Sequence, residues 1–400
     1  MEATGFDRKN IAVLSAMGIA SGIALNIFRP LYPILAVSIG IDVSSLGLAS
    51  TASTGFAVLT LMVAGSTADK LGKKSILSLA YISATAGALL CSQARSLAHI
   101  AASLMLFELS FYIGAPMRAV VVAESSPSSK MGTAYAVITT FRVLPNVIAP
   151  TLGGLMAEKI GLRPGIASAA AFMAVASAAA LAIREEKAEQ PALKVSLLPS
   201  RSLKPLYIFS SIDRFSWMMW MPIVYAHISK ELSVTPLQIG ALASVMNTSW
   251  LLSQMASGIL VDKAGALPTL LASEVLGAIA AAVLAASSSY KAALAAFTAI
   301  GLSISTWIPS YNKLLAALAP EESRAAEFSK ITAYRTTASI PAPLLGGLLY
   351  NIAHPMPFAA SATILAANTL LLVKMSPKGG SYAGGSRAAV QLKVESCQLA

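Results

Sequence analysis

The chain has 400 residues, of which 56% are hydrophobic and 12% charged, against about 25% charged in an ordinary soluble protein. So little charge cannot cover two or three soluble domains, which excludes a cytosolic enzyme, a disordered chain and a disulfide-stapled secreted domain. The net charge of +11, with a mean hydropathy of +0.69, reads as a basic membrane face and not as a nucleic-acid surface.

Apolar runs broken by charge, Pro or Gly predict twelve transmembrane helices, at residues 10–39, 43–66, 73–93, 97–122, 131–157, 163–183, 205–229, 236–260, 266–288, 291–315, 327–351 and 356–374. None alternates as a barrel strand would. Span 1 follows Arg8 and Lys9, exceeds the apolar core of a signal peptide and has no clear cleavage site after it, so it is read as retained. With the N-terminus inside, 19 of the 29 basic residues fall on the cytoplasmic side and five outside, and five arginines lie within spans. That bias predicts a multi-pass cell-membrane protein with both termini cytoplasmic. Cys91 and Cys397 then lie on opposite sides and should not pair.

The charged stretch 184–204 divides the spans six and six. The predicted organisation is an N-terminal six-helix bundle (1–183), a cytoplasmic linker (184–204), a C-terminal six-helix bundle (205–375) and a flexible Gly- and Ser-rich tail (376–400). The two halves align without a gap at an offset of 193. Gly65, Asp69, Lys70 and Gly72 fall on Gly258, Asp262, Lys263 and Gly265. Pro116 falls on Pro309, Arg142 on Arg335, and Pro150, Gly153 and Gly154 on Pro343, Gly346 and Gly347. Chance supplies matches among Ala, Leu and Ser, but not shared Asp, Arg, Pro and paired Gly at one offset. Six spans per half keep the repeats parallel, related by a pseudo-two-fold axis along the membrane normal.

The stretch Gly65-Ser-Thr-Ala-Asp69-Lys70-Leu-Gly72-Lys73-Lys74 between spans 2 and 3 resembles the cytoplasmic loop signature of the major facilitator superfamily. A second copy, Gly258 to Gly265, lacks the trailing basic pair. Gly72 suits a sharp reversal and Gly65 a close helix approach. The resemblance covers residues 10 to about 374 and implies an all-α fold of two six-helix bundles. It implies a secondary active transporter working by alternating access, with spans 1, 4, 7 and 10 lining the cavity. Gly65, Asp69, Lys70, Gly72, Asp262 and Lys263 would then belong to gating loops.

Pro150-Thr-Leu-Gly153-Gly154 in span 5 resembles part of the superfamily's antiporter signature, although Pro145 and Ala149 replace its earlier glycines. Because Pro343, Gly346 and Gly347 repeat the feature in span 11, all six residues also read as a helix-bending and packing device. Drug-exporting members often carry an arginine in span 4, and here Glu108 stands near that place.

Charge inside the membrane is costly and therefore informative. The acids are Glu108, Asp213 and Glu274; the arginines are Arg29, Arg118, Arg142, Arg214 and Arg335. Glu108 and Arg142 lie at similar depth on consecutive spans, which suggests an ion pair broken by protonation. Arg118 reads as snorkelling to the cytoplasmic face, and Glu274, on a span expected at the bundle periphery, as either a structural pair or a residue of a locally wet groove. In span 7, Asp213 and Trp217 are an i, i+4 pair; Trp307 and Tyr311 repeat the step in span 10. Such walls suit amphipathic organic compounds. The candidate substrate-binding residues are Asn26, Arg29, Tyr112, Arg142, Asp213, Trp217, Trp307, Tyr311 and Arg335, with Glu108 and Asp213 as proton-coupling groups.

No phosphate loop and no metal-ligand spacing among the three histidines is present, so neither an ATP-driven pump nor a metalloenzyme is expected. The expected partners are a small-molecule substrate, protons and the lipid bilayer, with no cofactor, in a monomer. The leading reading is proton-coupled efflux of amphipathic compounds. Five intramembrane arginines against three acids leave transport of an organic anion as the alternative.

Overall fold

A computed structural model describes residues 7–126, 138, 140–184, 203–320 and 324–375. Among them the regular secondary structure is helical: α1 (Arg8–Ser38), α2 (Val43–Leu71), α3 (Lys73–Ser92), α4 (Leu97–Tyr112), α5 (Gly114–Glu124), α6 (Pro145–Ile160), α7 (Leu162–Leu181), α8 (Lys204–Trp220), α9 (Val224–Leu232), α10 (Pro236–Ala264), α11 (Ala266–Ala285), α12 (Tyr290–Leu318), α13 (Arg324–Ala338), α14 (Ala342–Ile352) and α15 (Met356–Met375). The tail at 376–400, most of the predicted linker, and the side chains of Gly65, Asp69 and Lys70 lie outside the described residues.

Eight helical segments among the described residues are long and apolar enough to cross a membrane: Arg8–Ser38, Val43–Leu61, Lys73–Ser92, Leu97–Val122, Leu162–Leu181, Ala266–Ala285, Tyr290–Leu318 and Met356–Lys374. Predicted spans 5, 7, 8 and 11 are not among them, for two reasons. Spans 5, 7 and 11 are interrupted, at Leu144, at 221–223 and at 339–341. The pieces α6, α8, α9, α13 and α14 are 16, 17, 9, 15 and 11 residues long, each short of the roughly 20 that span a bilayer alone. Helix α10 is 29 residues long but carries Gln238, Asn247, Ser253 and Gln254, which lower its hydropathy. Span 4 also breaks, at Ile113, into α4 and α5.

The helix ends follow from local chemistry. The Asp7 carboxylate accepts from the backbone N–H groups of Lys9 (3.0 Å) and Asn10 (3.1 Å) at the start of α1, and Ser96 and Ser289 cap α4 and α12 in the same way. Arg163 donates to the carbonyls of Ser92 and Ala94 at 2.8 and 2.9 Å, satisfying the end of α3. Gly72 and its repeat mate Gly265 make the reversals at φ +87° and +92°, where a Cβ would clash. Gly40 sits at φ +86° and Ser233, 193 residues on, at +50°. One half thus fills a left-handed turn with glycine and the other with serine. Ser233→Gly should therefore stabilise the protein by about 1 kcal/mol, whereas Gly265→Ala should destabilise it by about 1–2 kcal/mol. Thermal unfolding in detergent measures both, and equal melting temperatures for the two variants would contradict the assignment.

The described residues divide into two compact units, one within 1–190 and 222–244, the other within 191–221 and 245–400. In the first unit α1 forms the centre, with Leu14, Met17, Ala24, Phe28 and Leu31 fully buried. Small residues set its approaches: a Cβ on Gly18 would lie 3.3 Å from the Arg142 Cβ, and one on Gly153 would lie 3.0–3.2 Å from Ile27. The same unit holds the crossing of α6 with the start of α10. There Gly154 faces the Pro236 carbonyl, Gly240 faces the Pro150 carbonyl, and Thr151 Oγ1 donates to Ser244 Oγ at 2.7 Å. In the second unit Gly346 faces the Met219 backbone, the repeat counterpart of Gly153 beside Ile27. Gly258 differs from the close approach expected of its mate Gly65, because a Cβ there would meet nothing within 4 Å. Both units expose large apolar side chains, such as Leu59, Leu79, Leu152, Leu252, Met255 and Leu370, as surfaces solvated by lipid do.

Candidate functional site

Each unit encloses a polar cluster. In the first, α1 presents Asn26 and Arg29, three residues apart and so on one face. Helix α4 supplies Glu108, Phe111 and Tyr112. Arg29 grips Glu108 with two parallel bonds, Nε to Oε1 at 3.2 Å and Nη2 to Oε2 at 2.7 Å, the fork geometry that makes arginine selective for carboxylates. The side chains are 41% and 17% exposed, so this pair remains accessible. The Arg29 guanidinium lies 4.7 Å from the Phe111 ring centroid and that of Arg142 5.9 Å from it. Tyr112 packs edge-on against Phe111 at 5.5 Å. Asn26 Nδ2 donates to Asn146 Oδ1 at 2.7 Å.

The partner of Glu108 is thus Arg29, not Arg142 as depth on consecutive spans suggested. Arg142 makes no ion pair among the described residues. Its repeat mate Arg335 does, because Asp213 faces it; the position corresponding to Asp213 in the first half is Ala20. Arg118 does not snorkel. It is 6% exposed and its Nη1 donates to the Tyr81 hydroxyl.

In the second unit α8 brings Asp213 and Trp217, α12 brings Trp307 and Tyr311, and α13 brings Arg335. Arg335 Nη2 donates to Asp213 Oδ2 at 3.0 Å, with side chains 17% and 4% exposed. Trp307 and Tyr311 stack with centroids 4.4 Å apart, and the Arg335 guanidinium lies 4.5 Å from the Trp307 centroid and 5.5 Å from that of Tyr311. One arginine therefore joins the acid to the aromatic wall, through a charge-assisted hydrogen bond on one side and a cation–π contact on the other. Trp217 packs on α11, where a Cβ on Gly277 would lie 2.9 Å from its Cζ2.

Glu274 belongs to this cluster, contrary to its peripheral reading. Its Oε1 accepts from Trp307 Nε1 at 3.1 Å and its Oε2 from Asn368 Nδ2 at 3.3 Å. The sequence signals Glu274, an acid deep inside an apolar span, whereas its span number argues against it. Asn146 and Asn368 gave a weaker signal, a lone amide in an apolar run.

Of the residues expected in gating loops, Asp262 and Lys263 lie instead in the last turn of α10, where Asp262 accepts from Lys313 Nζ at 2.7 Å on an exposed surface and such pairs contribute little. Pro150 lies inside α6, whereas Pro343 stands at the start of α14, just after the interruption in span 11.

The repeat seen in the sequence returns in comparison with known proteins. The sequence profile of the Major Facilitator Superfamily matches residues 14–211 and again 206–395. The chain is 24% identical over 389 residues to the multi-drug resistance efflux pump PmrA of Streptococcus pneumoniae, covering 88% of this chain and 95% of that one. It is 24% identical over 165 residues to the quinolone resistance protein NorA of Staphylococcus aureus, 41% of this chain and 42% of that one. The crystal structure of the nucleoside transporter NupG superposes with a TM-score of 0.72 at 12% identity, covering 91% and 97% of the two chains, a likeness of fold. With two consecutive profile matches, a sequence repeat and an all-helical fold that agree, this chain belongs to the Major Facilitator Superfamily and is a multi-pass membrane transporter.

Proposed function

We propose that the protein exports amphipathic organic compounds in exchange for protons. The reading is carried by the Asp213–Arg335 pair, 3.0 Å long and nearly removed from solvent beneath the stacked Trp307 and Tyr311. Protonating a carboxylate in such a pair removes one negative charge and frees the arginine. A proton and a cationic amphipath therefore compete for one acid, and the aromatic wall supplies apolar area for the rest of the compound. The Arg29–Glu108 pair gives the first unit a second protonatable contact, open enough to be reached from water. The similarity to a pneumococcal multidrug efflux pump supports the direction of transport. The lysine and arginine bias supports cytoplasmic termini, and the chain is taken to work as a monomer in the bilayer.

The test is uptake of a lipophilic cation into inverted-orientation proteoliposomes under an imposed pH gradient. Asp213→Asn and Glu108→Gln should each lower gradient-driven uptake by at least about tenfold, the loss expected for about 1.4 kcal/mol of coupling. Wild-type uptake that ignores the gradient would refute the reading.

A second reading, transport of an organic anion, is favoured by Arg142, which makes no ion pair among the described residues and shares the Phe111 ring with Arg29. A thermal-shift screen against organic anions, sugars and lipophilic cations separates the two. Stabilisation by an anion that disappears in Arg142→Ala would select the second.

A further inference from the structure

Four polar side chains, Asp213, Glu274, Trp307 and Asn368, meet where α8, α11, α12 and α15 pack in the second unit. Asp213 and Glu274 are each 2% exposed. Both Glu274 oxygens already accept, from Trp307 and Asn368. Asp213 Oδ2 accepts from Arg335, but Asp213 Oδ1 is buried with no hydrogen-bond partner. Asn368 Nδ2 donates both to Glu274 Oε2 and, at 3.2 Å, to the carbonyl of Phe209, one turn before Asp213 on α8, which sets the two buried carboxyls side by side in one cluster. An ionised carboxylate only accepts, so two ionised ones side by side repel and cannot satisfy Oδ1; one proton between them does both.

The other groups facing the pair are known. Arg335 bonds Asp213 directly. Arg214, the next residue on α8, adds its charge without making an ion pair among the described residues, and Trp217 and Tyr311 close the remaining sides. With the proton present the cluster holds two guanidinium charges and one carboxylate charge. With the proton gone, charges balance and the site is one unit more negative.

We propose that Asp213 and Glu274 share a single proton, and that this carboxyl pair, not Asp213 alone, is the proton-carrying site of the second unit. The sharing itself stands on geometry; its part in coupling rests on the exchange proposed above. Trp307 links the two: its ring stacks on the Tyr311 wall while its N–H holds Glu274. A compound seated against that wall presses on the group that holds the proton. Glu274 thus acts as a positioning and proton-sharing residue at one remove from the substrate.

Infrared difference spectroscopy of the purified full chain in nanodiscs, titrated across neutral pH in light and heavy water, tests the sharing. The wild type should show one protonated-carboxyl C=O stretch that persists at neutral pH and shifts in heavy water. Glu274→Gln and Asp213→Asn, both near-isosteric, should each abolish it, because either change leaves one carboxyl alone. Absence of the band from the wild type, or its survival in either variant, would overturn the proposal. If one variant fails to fold, retention or loss of the band in the other decides. The proteoliposome pH response of the wild type is a separate readout. Its failure removes the coupling role and leaves the infrared result to stand or fall independently.

Discussion

Arg335→Ala should lower stability by about 3–5 kcal/mol at neutral pH, the cost of leaving a buried charge without its partner, and should abolish transport. Asp213 is 2% exposed, and Arg335 is the only residue among those described that forms an ion pair with it. The same side chain covers Trp307 and Tyr311, so its loss also unseats the aromatic wall. In a chain of 400 residues the apparent melting temperature should drop by about 5 °C. Three comparisons make the measurement specific. Arg335→Lys keeps the charge but not the planar fork or the stacking, and should recover part of the stability with little of the transport. The double variant Asp213→Ala with Arg335→Ala should be more stable than Arg335→Ala alone, because the orphaned charge is gone. The loss should also shrink as the pH falls, since a protonated Asp213 needs no counter-charge. A single variant as stable as the wild type at neutral pH would show that the pair does not hold these helices.

The second large effect is expected where α6 crosses the start of α10. Thr151 Oγ1 and Ser244 Oγ are 2.7 Å apart, and Gly154 and Gly240 let backbone approach backbone. Thr151→Cys with Ser244→Cys should form a disulfide on mild oxidation, as side-chain atoms this close allow. The native Cys91 is buried and should not compete. Spans 5 and 8 come from different halves of the repeat, and in the alternating-access cycle that the superfamily resemblance implies such contacts part and re-form. Transport should therefore fall to background when the link is made and return on reduction. Full transport by the cross-linked protein would mean that this contact stays closed throughout the cycle. Gly240→Leu offers a chemically different check: a side chain driven into the Pro150 carbonyl should cost about 1–3 kcal/mol or more.

The helical membrane class and the duplication were legible because both rest on patterns that tertiary contacts do not alter. Twenty-residue apolar runs have few ways to satisfy their backbone in lipid, and a fixed offset of 193 that aligns Asp, Arg, Pro and paired Gly is independent of packing. Gly72 and Gly265 were legible as turns for the same local reason, and both take positive φ. The interruptions in spans 4, 5, 7 and 11 were not, since hydropathy runs across them unchanged.

Partner choice was the part that sequence alone left open. The cost of intramembrane charge singled out Glu108, Asp213, Glu274 and the arginines as residues needing company. Which of them meet depends on helix rotation and spacing. Gly18 and Gly22 bring span 1 against Arg142, yet Arg29 on that same span takes Glu108. Arg142 and Arg335 occupy equivalent places, but Asp213 faces one and Ala20 the other. Glu274 stands on a span that counting placed at the edge, and Trp307 and Asn368 bind it into the centre of its unit. That charge sits in the membrane, and on which residues, follows from residue identity and order, because the energy of burying a charge is a property of the residue. Which charges neutralise one another is settled by helix packing, because it depends on distances of about 3 Å between helices far apart in the chain.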